Sequence, residues 1–525
     1  MRCLPAHTPR ALLLASVFTM ALGAAAHAAD VTEAQAKDVA DRLRAWIAGL
    51  VTDRVPLSPT LLDVQPAGLN YRLTFPLPPG VLQTKDEPGQ PPGGAVIILA
   101  HPEEGTRWRI DGYTFPAHFT LGPAAAAAMA VMTPPPLAAL PPGTPGSPPA
   151  SPAPPGAPTA EWHIKSQSAS GVYDTAQATE SHLNYALEGY RSDVKNFGGQ
   201  GISTTTIDRY HGTSRLKPTQ NGGTDLTGDF TVEGYQQSTD LPQIGQMRIA
   251  AKRMLVRGDI RSVMTGQLAA LIRLGVDTGL DAQAAKAAGD KAADTPAVKP
   301  DVTREVFKLL RGLLAGMRVD ETVEGLELDL PQGRGSASTA QFGFGGDAPG
   351  DKFQGYMEFG VTGLKVLGLP PQFADLLPSR LVFRPTVANI DLKGLTALAE
   401  AANRPGSDEA TTKARMAAIF TSNGVRLGVE RFEADLGFAS LSASGSATML
   451  NQNAARGQAE IVITGLDAVM QRAQTLPNPA QMIAVLAMAK GFGKVEGNRT
   501  VWNITFSEDN KVIVNGMDIS KMGGK

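Results

Sequence analysis

The sequence predicts an α+β fold that is mainly β: a long antiparallel sheet of repeated hairpin-plus-helix units, with a small α+β module at the N-terminus. Three observations lead there. Glycine and proline are abundant, at 56 and 39 residues, while charged residues make up only 19%; many turns and few charges favour sheet over helical bundle. Period-two alternation recurs, as in Leu326, Leu328 and Leu330 against Glu327 and Asp329, the pattern of a strand with one buried face. Two segments, Gly355 to Leu364 and Gly457 to Leu466, share the form G-x-x-E-apolar-x-[VI]-T-G-L, so the sheet is read as one unit repeated.

Residues 1–28 read as a secretory signal. Arg2 and Arg10 give a positive start, Ala11 to Leu22 an apolar core, and Ala26-His27-Ala28 a small-x-small cleavage pattern. The expectation is a periplasmic protein released after Ala28; the alternative is an inner-membrane anchor formed by residues 11–28. The core is shorter than the ~20 residues of a comfortable span, and no later run is apolar enough to cross a bilayer. The single cysteine, Cys3, precedes the core. Processing would leave no thiol, which excludes disulfides, thiolate nucleophiles and Cys-ligated metals. With 48 Lys+Arg against 50 Asp+Glu, the chain lacks the basic footprint of a nucleic-acid binder.

The N-terminal α+β module spans residues 29–122. Thr32 can cap a helix in which Ala36, Val39, Leu43, Trp46 and Leu50 recur at helical spacing. Leu69, Tyr71, Leu73 and Phe75 alternate as a strand, followed by strand-like Ala95 to Ala100, Arg107 to Ile110 and His118 to Leu121. Residues 123–160 form a Pro/Ala-rich linker or loop whose composition offers no core. The β-rich repeat region occupies residues 161–525. Its strand signals are interrupted by helical patterns at Met264 to Thr278 and Val302 to Met317. After each T-G-L a short apolar helix is expected, near Pro371 to Leu377 and Ala468 to Leu476. A weaker third copy starts at Gly245, and the chain closes with a hairpin in which Trp502, Ile504 and Phe506 share one side.

The segment LSASGSATMLNQNAARGQAEIVITGLDAVM (Leu441 to Met470), a long hairpin ending in Gly-Leu and a helix, resembles the AsmA-like and YdgA-like exported proteins of proteobacteria, as does the closing Val514-Asn515-Gly516. The resemblance covers roughly Asp225 to Lys525 and rests on hairpin rhythm. It implies a periplasmic β-rich body with an apolar concave face, tied to envelope integrity and, in some members, to phospholipid traffic. The Pro-rich insert and the lack of a convincing anchor depart from that pattern.

The residues assign no catalytic, cofactor-binding or metal-ligating group. After the signal, histidines stand only at 101, 118, 163, 182 and 211, so the repeat region beyond residue 211 has no imidazole for metal or base chemistry. His101-Pro-Glu103-Glu104-Gly is the best local ligand cluster, and it reads as a solvated turn. Gly343-Phe-Gly345-Gly346-Asp-Ala348 mimics a dinucleotide loop, but Pro349 and Gly350 follow where a helix should open. Asp320, Glu321 and Glu324 read as solubilising a strand start. The segment Ala480 to Phe492 is apolar nearly all round. Met482, Ile483, Leu486 and Met488 are candidates to line a lipid-binding cleft, although packing of a buried helix on the sheet is the preferred reading. The expected function is a non-enzymatic envelope protein holding a lipid or another envelope component on an apolar sheet face. The alternatives are an envelope scaffold and a carboxylate-dependent hydrolase.

Overall fold

The structure is a computed structural model that describes residues 30–50, 62–77, 82–84, 90–91, 93–121, 159–174, 178–197, 201–242, 245–271, 273–274, 277–278, 300–313, 315–402, 414, 418–419, 424–451, 454–476, 479–509 and 511–520. The signal-like segment and almost all of the Pro/Ala-rich tract lie outside the described residues. Of the described residues 62% are strand and 19% helix, so the fold is mainly β, and the pairing is antiparallel. No described helix is long and apolar enough to cross a membrane. The chain divides into two compact units, Met1–Leu255 with Leu328–Gln332, and Val256–Glu327 with Gly333–Lys525.

In the first unit, helix α1 (Glu33–Leu50) is followed by β1 (Asp63–Ala67), β2 (Asn70–Pro76), β3 (Leu82–Thr84), β4 (Ala95–Pro102), β5 (Arg107–Thr114) and β6 (His118–Leu121). Then come β7 (Thr159–His163), β8 (Ser166–Asp174), β9 (Ser181–Phe197), β10 (Gly201–Pro218), β11 (Thr224–Leu241) and β12 (Gly245–Val263), the last passing into the second unit. Thr32 caps α1 as expected. Its Oγ1 accepts from the Gln35 amide at 3.3 Å, and Gln35 Oε1 accepts from the Thr32 amide at 2.8 Å, a reciprocal capping box. Ala36, Val39 and Leu43 are buried with Leu62, Tyr71, Leu73 and Trp108 in one core. The strands of the module continue into those after the Pro-rich tract: β5 pairs with β8 and β6 with β7. Strands β8 and β7 then lie end to end along β9, and β10 and β11 come next. The expected boundary between residues 122 and 161 is therefore crossed by ladder hydrogen bonds.

The second unit continues with α2 (Pro300–Leu313), β13 (Gly316–Leu330), β14 (Gly333–Asp347), β15 (Lys352–Thr362), β16 (Lys365–Leu367), α3 (Pro371–Ala374), β17 (Arg380–Asp391) and α4 (Leu392–Ala402). It ends with β18 (Arg426–Asp435), β19 (Ser440–Asn451), β20 (Ala454–Thr464), α5 (Leu466–Ala473), α6 (Pro479–Phe492), β21 (Lys494–Glu496), β22 (Arg499–Phe506), β23 (Val512–Val514) and β24 (Met517–Asp518). Pairing runs antiparallel through β14, β15, β17, β18, β19, β20, β22, β23 and β24.

The two T-G-L copies occupy equivalent corners. Gly363 has φ 63° and Gly465 φ 79°, a left-handed conformation that glycine adopts without Cβ strain. Gly363 donates its amide to the Ser379 carbonyl at 2.8 Å and Gly465 to that of Asn498 at 3.0 Å, the residues just before β17 and β22. Past the corner the copies diverge, where matching helices were expected. Gly465 opens α5 directly, whereas Gly363 leads first into β16, which pairs back on β14, and only then into the four-residue α3. Lys365-Val-Leu367 supplies a short strand where Leu466-Asp-Ala-Val469 supplies a helix. In the supposed third copy the strand runs uninterrupted from Gly245 to Val263.

Candidate ligand-binding sheet face

Cross-strand partners share a sheet face, and alternate residues along a strand do so too. In the second unit these rules assemble an apolar face. Phe342 stands opposite Phe359, Phe359 opposite Phe383, and Phe383 opposite Phe432. The row continues through Ala443 and Ile461 to Trp502. The Phe342 and Phe359 rings lie 5.3 Å apart and those of Phe383 and Phe432 6.2 Å apart. Flanking rows are apolar as well: Val361, Leu381, Ala434, Leu441 and Ile463 on one side, Val429, Gly445, Ala459 and Ile504 on the other. A further row adds Leu427, Ala447, Gly457 and Phe506.

Side-chain size varies systematically across this face. On β19 and β20 its positions are Ala443, Gly445, Ala447, Gly457 and Ala459, all half-buried, with Ile461 standing opposite Ala443 at one end. On β18 and β22 they are Leu427, Val429 and Phe432, and Trp502, Ile504 and Phe506. Small residues thus form a low strip between two bulky borders. A Cβ on Gly445 would fall 2.5 Å from that of Ala459, so no larger residue fits there without movement. With strands about 4.8 Å apart, the borders stand roughly 14 Å apart, and Ala443 to Ala447 spans about 13 Å. Toward β15 and β17 the face is open: Phe359 is 41% and Phe383 36% exposed.

Helices α5 and α6 cover the other end. Leu466, Trp502 and Val514 are buried there, with Ile461, Ile504, Leu486 and Phe492 packed against them. The Trp502 indole Nε1–H donates to the Ala489 carbonyl at 2.8 Å. Of the four candidate lining residues, Leu486 joins this cluster, Met482 and Ile483 are half-buried, and Met488 is 61% exposed. Helix α6 buries none of its residues. The preferred expectation of a buried helix is thereby corrected: apolar on every side, it can lay only one side on the sheet.

The opposite face is mixed: Val382, Val462 and Val501 are buried on it, and ion pairs lie beside them. The Arg384 guanidinium lies 3.3 Å from Glu358 and 3.2 Å from Glu430, and 4.1 Å from the Tyr356 ring centroid. Arg431 donates twice to Glu433, each at 2.8 Å, and those hydrogen bonds hold the Glu433 carboxyl below the usual range. Glu460 is exposed, while Glu358 is half-buried in its ion pair. Glu321, read as a solubilising group, is half-buried on β13, and desolvation raises its pKa.

A cleft of about 650 Å³ between α1 and β1 is lined chiefly by polar and charged groups, among them Glu33, Lys37, Arg44 and Asp63. Its lining lacks the apolar continuity of the sheet face. The His101 segment is not the turn expected at its start. His101 lies on β4 with Nδ1 2.7 Å from Asp111 Oδ2 and 3.0 Å from Asn70 Oδ1, while Glu103 accepts from Arg109 Nε at 2.7 Å. These groups do not converge with Glu104. Among the described residues, the three ligand-type side chains that converge are His118, Glu161 and His163. Sequence reasoning missed them because 43 positions separate His118 from Glu161 along the chain.

Residues 322–508 match the model of a family described as an uncharacterized protein conserved in bacteria (DUF2125). The matched segment contains the apolar face from β14 to β22, and nothing in the match ties the chain to the AsmA-like proteins. Neither the curated proteins nor the solved structures gave a match to the chain.

Proposed function

We propose that the chain is an exported, non-enzymatic envelope protein that holds the acyl chain of a lipid on the apolar face of its second unit. The observation that carries this reading is the low strip of Ala443, Gly445, Ala447, Gly457 and Ala459 between bulky borders on β18 and β22. One leaflet of a bilayer is ~15 Å of hydrocarbon, close to the length of the strip. Burial of an acyl chain there would be driven by removal of apolar surface from water, at roughly 25 cal/mol per Å². The face holds no charged residue along its central row, so it offers no partner to a headgroup or to an ionic substrate. Export rests on the order of the positive, apolar and small-x-small segments in residues 1–28. The resemblance to AsmA-like proteins, some linked to phospholipid traffic, accords with an amphiphile as ligand.

The test is native mass spectrometry of the full chain purified from a bacterial envelope fraction. The expected result is an adduct with the mass of a lipid, lost in Ala447→Phe, which fills the strip, and retained in Glu460→Gln on the opposite face. An unliganded parent, or an adduct equally abundant in Ala447→Phe, overturns the reading.

A further inference from the structure

We propose that His118, Glu161 and His163 form a binding site for one divalent transition-metal ion of the Zn²⁺ class. Strands β6 and β7 set His118 directly opposite His163, and Thr120 opposite Glu161. Residues 161 and 163 alternate along β7, so all three side chains leave the same face. The imidazoles stack with centroids 4.0 Å apart and planes at 16°. Both Nε2 atoms turn to one carboxylate oxygen: Glu161 Oε1 lies 2.5 Å from His118 Nε2 and 3.7 Å from His163 Nε2. One ligand atom from each residue falls within 4.8 Å of the other two. Zinc bonds of about 2.0–2.2 Å put tetrahedral ligands roughly 3.3 Å apart, and each imidazole binds through the lone pair in its own plane, so closure needs the stacked rings to rotate out of parallel as well as to shift by about an ångström.

Two imidazoles and one carboxylate suit zinc and its first-row neighbours over calcium or magnesium, which prefer all-oxygen shells. The site is reachable from solvent on one side: the His118 side chain is 15% exposed and that of His163 50%. Three protein ligands leave a fourth position for water or an exchangeable partner. The local charge also suits a cation. Arg191, the register partner of His163 on β9, is tied to Asp193 by hydrogen bonds of 2.7 and 3.1 Å. Asp193 stands opposite Glu161. On the other face Phe119 stacks on Trp162, centroids 5.0 Å apart, giving the two ligand strands a rigid backing.

The alternative is a metal-free hydrogen-bonded cluster, in which Glu161 accepts from His118 and the imidazoles merely stack. The two are separated by titrating untagged, chelator-treated full-length protein with Zn²⁺ in a calorimeter, and with Co²⁺ in a spectrophotometer. The expected result is one equivalent of Zn²⁺ per chain and visible Co²⁺ bands of a tetrahedral or five-coordinate site. His163→Ala and Glu161→Gln should each weaken binding by more than ~10-fold, while His101→Ala and His211→Ala leave it unchanged. His163, the most exposed ligand, is the variant least able to disturb folding, and circular dichroism of each variant verifies this. No saturable binding by the folded parent, or binding indifferent to His163→Ala in a folded variant, overturns the proposal.

Discussion

At the scale of single residues the structure turns on placements that sequence alone supplies unevenly. The Thr32 cap and the paired T-G-L segments were legible because they are local: a cap acts within one turn, and a repeated motif is visible in the chain itself. Glu358 and Glu321 were not legible as half-buried groups, because burial depends on what other strands bring beside them. Glu321 makes the difference measurable. Desolvation raises its pKa, so the folded state binds the proton more tightly than the unfolded chain. Stability then falls as pH rises from the unfolded value near 4.3 through the folded value. Glu321→Gln is expected to raise the melting temperature at pH 7, with the gain shrinking toward pH 4. A variant melting at or below the parent at pH 7 would mean that water reaches the carboxylate.

At the scale of elements, repetition in the sequence corresponds to repetition in the sheet, but only as far as the glycine corner. Beyond it, Leu466 enters a helix and is 3% exposed, whereas Leu364 precedes an exposed three-residue strand and is only half-buried. Leu466→Ala should therefore cost ~2–5 kcal/mol. Leu364→Ala should cost clearly less, on the order of 1 kcal/mol for partial burial. Denaturant titration of both variants checks this, and equal losses would mean that the two corners are packed alike. Helix α6 shows the limit of reading apolar content. Its residues favour burial on every side, yet only the arrangement of neighbours decides which side obtains it. Leu486 meets the Trp502 cluster and Met488 meets water.

For the whole molecule, composition and alternation sufficed for a mainly antiparallel β fold, since turn-rich, charge-poor chains with period-two runs have few other ways to bury apolar surface. The division of the chain was less accessible. The strands before and after the Pro-rich tract pair with each other, and composition carries no information about pairing across 37 intervening residues, 122–158. The same dependence on register concealed the phenylalanine row and the His118–Glu161–His163 cluster. Each rests on which residue of one strand faces which residue of the next.

The claim that the apolar face holds an acyl chain can be read from Trp502, whose indole ends the row at the border of the low strip. Bromine quenches indole fluorescence at close range, so titration of the full chain with a brominated fatty acid, below its critical micelle concentration, tests occupancy directly. Saturable quenching is the expected result, abolished in Trp502→Phe and weakened in Ala447→Phe. Quenching absent from the folded parent, or unchanged when Trp502 is replaced, would contradict the placement of a lipid chain on this face.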